Sequence, residues 1–235
     1  MNIETDLVKK KEFSSSINPS IQKHSQEYKV LAILRYLYPQ KFSTMISGEA
    51  PDLQDNENGV GIEVVSAAQE NDMRASRAFS ELRQTKGGDN EKSEERIRAS
   101  GYKIMSVQGN KVRISATGTS DSEKVLVQKI VLKKAGKIQQ YKKNFRKVGL
   151  AILFSEIPTS YAEEHCLEWI TEVLSKFRDS FDFVYVLSHR FCIYYENQKN
   201  ISEKRCFTEN AYKSLSTIAR MTAEGQLSLT DPEWQ

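Results

Sequence analysis

Two acidic residues stand out because each interrupts an otherwise apolar stretch of the chain. Asp52 lies in Pro51–Leu53, and Glu63 lies in Val60–Ser66. A carboxylate in such surroundings is costly unless it is hydrogen-bonded, paired with a cation or bound to a metal. The polar residues 55–59 predict a turn between two strands. If these strands pair as a hairpin, the two carboxylates come close together, and a divalent cation would offset their repulsion.

A basic segment lies further along the chain. Residues 124–147 contain nine lysines and arginines and no acidic residue, although the net charge of the whole chain is only +3. Such a segment suits a polyanion, and by itself it is equally typical of a solvated lysine face. The residues expected to contact a nucleic-acid backbone are Lys129, Lys133, Lys142, Lys143, Arg146 and Lys147.

The acidic segments resemble the two half-motifs of the PD-(D/E)xK, or restriction-endonuclease-like, nuclease superfamily. Pro51-Asp52 is similar to the first and Gly61-Ile62-Glu63-Val64 to the second, and the order of elements matches over about residues 20–155. The resemblance implies that Asp52, Glu63 and the carbonyl oxygen of Val64 bind Mg²⁺ or Mn²⁺. The ion would polarise a phosphoryl oxygen and help to activate water for hydrolysis of a phosphodiester bond.

One residue departs from the superfamily pattern. The lysine expected two residues after the second acid is replaced by Val65. Either the lysine has moved to a neighbouring helix or the site is inactive. Lys134 and Lys137 lie at the edge of an apolar helical stripe in the basic segment, and residues 137–141 resemble the QxxxY helical motif of some superfamily members. Alternatively, each lysine packs its stem on a surface helix with its ammonium in solvent.

Two further residues are candidates for the site. Gln69 follows Glu63 closely and could position water, or it could be an exposed helical residue. Glu27 lies on the apolar stripe of the first predicted helix, one turn before Leu31. The resemblance implies an additional metal ligand at such a helical acid. The alternative is a carboxylate that interacts with the helix dipole.

The predicted elements indicate an α/β fold with a mixed central β-sheet flanked by helices on both faces, which the resemblance makes restriction-endonuclease-like. We expect a flexible lead-in over residues 1–20, one domain over 21–225 with a hairpin insertion within 87–119, and a polar tail over 226–235. Helices are predicted over 21–38, 67–84, 120–147, 162–177 and 208–223, and strands over 42–47, 51–53, 60–66, 102–107, 111–117, 149–155, 183–187 and 191–195.

The composition and the lengths of the apolar runs indicate the cellular compartment of the protein and the state of its cysteines. No apolar run approaches the ~20 residues of a membrane-spanning helix, and no apolar stretch follows the charged N-terminal residues as in a secretory signal. We therefore expect a cytoplasmic protein without a membrane partner. Three cysteines without paired spacing favour packed thiols over disulfides or a zinc site, and the three histidines are equally scattered.

These observations predict a metal-dependent nuclease, and more specifically a DNA endonuclease of a restriction, defence or mobile-element system. DNA is favoured over RNA as the substrate. Cutting both strands is simplest with two sites, so a homodimer or a partner subunit is compatible with this function. One alternative is a catalytically inactive module of the same fold that binds nucleic acid or protein. A second is a protein-binding domain in which Asp52 and Glu63 are ordinary acids at loop edges.

Overall fold

The computed structural model describes residues 19–67, 74–75, 77–79, 81–82, 90–107, 110–116, 120–154, 158 and 160–234. The predicted lead-in falls outside these ranges except for its last two residues, and Gln69 lies outside them. The chain divides into two compact units. One comprises residues 1–67 and 127–235, and the other comprises residues 68–126.

A seven-stranded mixed sheet forms the centre of the first unit as far as that unit is described. Its strands lie in the spatial order β1-β2-β3-β6-β7-β8-β9. The strands of the chain are β1 (Ile46–Ser47), β2 (Leu53–Asp55), β3 (Val60–Ala67), β4 (Tyr102–Val107), β5 (Asn110–Ala116), β6 (Lys147–Phe154), β7 (Phe183–Leu187), β8 (Phe191–Glu196) and β9 (Ile201–Cys206).

The sheet contains both parallel and antiparallel strand pairs. The strands β3, β6 and β7 are mutually parallel, with Glu63 beside Leu150 and Leu150 beside Val184. The central strand β6 is buried from Val148 to Phe154, as expected for a parallel strand covered on both faces. The strands β1, β2 and β3 form an antiparallel meander, and β7, β8 and β9 form another.

Helices cover the sheet of this unit. One face packs against residues 30–34, and Leu53, Ile62 and Val64 share that hydrophobic core. Because side chains alternate across a strand, Glu63 projects from the opposite face, where it contacts Lys134. The helices of the chain are α1 (Pro19–Leu37), α2 (Pro39–Phe42), α3 (Asn90–Ala99), α4 (Ser120–Ala135), α5 (Ile138–Tyr141), α6 (Ser160–Leu174), α7 (Glu209–Ala223) and a 3₁₀ turn at Pro232–Trp234.

The second unit contains α3 and the antiparallel pair β4 and β5. Helical residues also occur at 74, 75, 77–79, 81 and 82. Ala75, Ala78, Leu82, Ile97 and Tyr102 form a small buried cluster. The predicted hairpin is therefore present within a separate unit, and the charged residues 90–99 form a helix.

The α/β class and the mixed sheet predicted from sequence are confirmed. Two local predictions are corrected, and one strand was missed. The predicted strand at 42–47 is reduced to Ile46–Ser47, and the predicted helix at 120–147 is divided between α4 and α5 around Gly136 and ends at Tyr141. The strand β9 was not predicted. The ranges that the structure describes include no helix with the length and apolar character needed to span a membrane.

Candidate active site

Asp52 lies at the point where β2 begins to pair with β3. The pairing of the two strands ends with the pair Leu53 and Ile62. Beyond them, Asp52 Oδ2 accepts a hydrogen bond of 2.8 Å from the N–H of Val64. The carboxylate thus replaces the next backbone acceptor of the ladder. The turn before β2 is closed by the Gly48 N–H, which donates to the Asp52 carbonyl oxygen at 2.9 Å.

The same hydrogen bond fixes the direction of the Val64 carbonyl. In an antiparallel ladder, the N–H and C=O of one residue point to the same side of its strand. Because the Val64 N–H points to Asp52, its carbonyl oxygen also points to the β2 side and away from β6. A backbone oxygen is therefore directed to the same edge as the Asp52 carboxylate.

Glu27 brings a second carboxylate to Asp52 from α1. Its side chain is only 3% exposed. Its Oε2 lies 2.9 Å from His24 Nδ1, one turn earlier on the helix. Lys23 Nζ lies 3.1 Å from Glu27 Oε1 and 3.5 Å from Asp52 Oδ1, so one ammonium is shared by acids of two different elements. The Lys23 side chain is 67% exposed.

Glu63 is paired with a lysine from the basic segment. Lys134 Nζ lies 2.5 Å from Glu63 Oε1, and the two side chains are 18% and 5% exposed. Tyr141 is buried close to Glu63. Burial, and then the interaction with the Glu63 carboxylate, raise the pKa of the Tyr141 phenol, which therefore stays protonated beside it.

The electrostatics of Asp52 reflect these neighbours. Burial is the main cause that raises the pKa of the Asp52 carboxyl above its usual value, and the nearby charge of Glu27 adds to it. The Val64 hydrogen bond and the ammonium groups of Lys23 and Lys134 act in the opposite direction without cancelling the rise. In the folded protein, the ionised form of Asp52 is therefore under-compensated by the residues around it.

The chemistry of these groups fits a hard divalent cation. Mg²⁺ and Mn²⁺ prefer oxygen ligands, and Asp52, Glu27, Glu63 and the Val64 carbonyl supply only oxygens. Within the described part of the chain, no three histidine, cysteine, aspartate or glutamate side chains are arranged as a metal-binding group. Instead, ammonium groups contact the carboxylates that would act as ligands. Lys23 contacts Glu27 and Asp52, and Lys134 contacts Glu63.

The other predicted residues lie at the surface. Lys137 is exposed and directly precedes α5. The lysine that contacts Glu63 is Lys134. Lys129, Lys133 and Lys143 are exposed, and the described residues include no carboxylate paired with them. Lys142 is half-buried, 3.9 Å from Asp182. The guanidinium of Arg146 donates to the Asn58 carbonyl oxygen, and Lys147 is the exposed first residue of β6.

Sequence reasoning missed Lys23 and His24 and did not assign a role to Tyr141. The i, i+4 spacing of Lys23 and Glu27 is a visible signal, but it equally describes an ordinary surface ion pair. The contact of Lys23 with Asp52 depends on how α1 meets the start of β2, which local spacing does not encode.

No family model, curated protein or solved structure gives a significant match to this chain.

Proposed function

We propose that this protein is a metal-dependent nuclease that hydrolyses phosphodiester bonds, with DNA as its substrate, in a restriction, defence or mobile-element system. The observation that carries the proposal is the contact between Lys134 and Glu63. The chain lacks a lysine at position 65, and Lys134 from α4 contacts the Glu63 carboxylate instead. The position of Lys134 agrees with a migrated catalytic lysine.

The order of the strands supports a restriction-endonuclease-like core. An antiparallel meander of β1, β2 and β3 is followed by β6, which pairs parallel to β3. Asp52 directly precedes β2, Glu63 lies in the middle of β3, and Glu27 lies in the helix that precedes them. This order agrees with the resemblance of the acidic motifs to the PD-(D/E)xK superfamily.

The proposed roles follow from the contacts of each side chain. Asp52, Glu63, the Val64 carbonyl and Glu27 would hold Mg²⁺ or Mn²⁺, which supplies Lewis-acid polarisation of the phosphate when bound. Lys134 would orient the attacking water or stabilise negative charge on the phosphate. The protonated phenol of Tyr141 would help to hold the Glu63 carboxylate in place. The exposed lysines of 124–147 would contact the nucleic-acid backbone.

A plasmid-cleavage assay with Mg²⁺ or Mn²⁺ tests this function. We expect Asp52→Ala and Glu63→Ala each to abolish cleavage while the circular dichroism spectrum stays that of the wild type. Asp179→Ala is the matched control, because Asp179 is an exposed acid whose hydrogen-bond partner is Gln139. Full metal-dependent cleavage by both site variants would refute the proposed function.

A second candidate is a catalytically silent module that binds nucleic acid. Val65 favours it, as does the pairing of each candidate carboxylate with a lysine. Such a module would bind DNA in a salt-dependent way and leave the plasmid intact with either metal ion.

A further inference from the structure

Lys23 occupies an unusual position between the two acids that come from α1 and from the start of β2. Its single ammonium lies within 3.5 Å of an oxygen of Glu27 and of an oxygen of Asp52. The two acid side chains are 3% and 11% exposed. A positive charge at this point therefore offsets two poorly solvated carboxylates at once.

The oxygens that Lys23 contacts are those that the rest of the protein leaves available. Asp52 Oδ2 accepts the Val64 N–H, and Glu27 Oε2 is held by His24. The remaining oxygens, Asp52 Oδ1 and Glu27 Oε1, both face Lys23 Nζ. Glu27 Oε1 is buried and has no hydrogen-bond partner among the described residues, so its contact with Lys23 is an ion pair without hydrogen-bond geometry.

The Lys23 side chain is largely in contact with solvent at this position. It is 67% exposed and lies in the second turn of α1, whereas the two acids are buried. An ammonium that moves into water regains its hydration, whereas the acids have no comparable access to solvent. A doubly charged cation at the same point would offset the two acids better than a singly charged ammonium.

We propose that Lys23 is a built-in competitor of the metal ion, whose ammonium holds the position between Glu27 and Asp52 and leaves it when a divalent cation binds. This inference rests on the proposed function, because it assigns the same carboxylates as ligands. It makes Lys23 a residue that lowers the apparent affinity of the site for metal. The cause is that only the fraction of molecules with Lys23 displaced can bind the ion.

Titration of the purified protein with Mn²⁺, monitored by isothermal titration calorimetry, tests the inference without an activity readout. We expect Lys23→Gln to bind Mn²⁺ about tenfold more tightly than the wild type, since it removes the competing charge. Lys23→Arg keeps the charge and should bind no more tightly than the wild type. Lys213→Gln is the matched control, because Lys213 forms an exposed ion pair with Glu209 at the same four-residue spacing.

The outcomes separate the inference from the proposed function. If the wild type binds Mn²⁺ and Lys23→Gln binds it with the same affinity, the competition is refuted while the metal site stands. If Lys213→Gln tightens binding as much as Lys23→Gln, the gain reflects net charge, and the competition is again refuted. If neither the wild type nor Lys23→Gln binds Mn²⁺, the metal site and the competition both fail.

A double variant locates the bound ion. Adding Asp52→Asn to Lys23→Gln should remove the gained affinity, because the ion then loses the carboxylate that Lys23 had occupied. Persistence of tight Mn²⁺ binding in the double variant would place the ion elsewhere and overturn the inference. Circular dichroism spectra of all variants establish that each one is folded.

Discussion

At the scale of single residues, positions 65 and 134 are two places from which a lysine can reach the Glu63 carboxylate. Val65 lies two residues after Glu63 on one strand, so both side chains project from the same face of the sheet. Lys134 approaches that face from α4. A lysine introduced at position 65 therefore enters the neighbourhood in which Lys134 now lies.

Substitutions at these two positions test the role of Lys134. Lys134→Gln should lower the rate of DNA cleavage at least about 100-fold, since it removes the charge beside Glu63. Adding Val65→Lys to Lys134→Gln should restore part of the lost rate by supplying the ammonium from the strand. Single-turnover cleavage rates measure both effects. Unchanged cleavage by Lys134→Gln would exclude a catalytic role for this lysine.

Two neighbouring aspartates show opposite electrostatic behaviour. Burial raises the pKa of Asp52, as described above. Asp55 is also buried, which by itself would raise its pKa, but hydrogen bonds from Asn58 and Thr44 outweigh burial and lower the pKa below its usual value. The ionised form of Asp55 therefore stabilises the fold, whereas the ionised form of Asp52 destabilises it.

We therefore predict opposite effects of the same substitution. In the absence of metal, Asp52→Asn should increase the free energy of unfolding by about 1 kcal/mol, because a poorly solvated charge is removed. Asp55→Asn should decrease it by about 1–2 kcal/mol, because charge-assisted hydrogen bonds in the β2–β3 turn are weakened. Urea unfolding at neutral pH measures both changes. Equal destabilisation by the two variants would contradict the assignment for Asp52.

The pH dependence of these differences follows from the directions of the pKa shifts. The stabilisation by Asp55 is present above the unfolded carboxyl pKa of about 4 and is lost as the pH falls through its lower folded value. The relation is reversed for Asp52. The stability that the fold has with Asp52 protonated is present below about pH 4, and it is lost as the pH rises through the raised pKa of this carboxyl in the folded protein. The increase in the free energy of unfolding that Asp52→Asn causes should therefore grow from pH 4 to pH 7.

Residue types and spacing were enough to select Asp52 and Glu63 as candidates and to offer Lys134 and Lys137 as alternative lysines. Acids inside apolar stretches are unusual, so these two residues stand out locally, whereas a lysine at the edge of an apolar helical stripe is equally typical of a surface helix. The structure brings Lys134 and not Lys137 to Glu63 because the helix breaks around Gly136, which leaves Lys137 exposed. Such a choice between neighbours depends on helix geometry that the periodicity did not resolve.

At the scale of elements, Gly61 governs how closely the turn before Asp52 approaches β3. A Cβ atom at position 61 would lie 2.5 Å from Pro51 Cγ and 3.1 Å from the ring of Phe145. Pro51 directly precedes Asp52, so a side chain at position 61 would push the start of β2 away from β3. The Val64 N–H would then lose its acceptor.

We predict that Gly61→Ala lowers the free energy of unfolding by about 1–3 kcal/mol, as expected for overpacking, and weakens Mn²⁺ binding. Thermal unfolding and calorimetric titration measure these effects. Gly136→Ala is the control, since a Cβ atom there would meet no atom of the described residues closer than 3.8 Å, apart from its own chain neighbours. A Gly61→Ala protein with wild-type stability and wild-type Mn²⁺ affinity would contradict this account of the turn.

Strong periodicity and long apolar runs explain which elements could be predicted. The helix α1 and the strands β3, β6 and β7 carry such patterns and lie within a few residues of their predicted bounds. The strand β9 does not, because its residues are polar and largely exposed, and it exists through pairing with β8. Its formation depends on a tertiary partner more than on its own sequence.

At the scale of the whole molecule, the basic residues of 124–147 remain a candidate surface for nucleic acid. Lys129 and Lys133 lie one helical turn apart on α4, and both are exposed. In the described ranges, neither has an acidic partner that would compete with a phosphate. Non-specific affinity for DNA should therefore depend on both of them.

The double substitution Lys129→Gln and Lys133→Gln should weaken binding to duplex DNA and reduce the slope of log K against log salt by about 2, one for each lost phosphate contact. Fluorescence anisotropy at several salt concentrations, without divalent cations, measures the slope. Lys213→Gln on α7 serves as the comparison. An unchanged slope in the double variant would place the DNA elsewhere.

The two edges of the central sheet bear on how copies of this protein can associate. At one edge, β1 is only two residues long, which offers little backbone for a further strand. At the other edge, β9 presents Glu203, Lys204 and Arg205 in succession, and charged outer strands resist edge-to-edge joining. Two copies acting together on a duplex would therefore meet through helices or loops, leaving each sheet a separate layer.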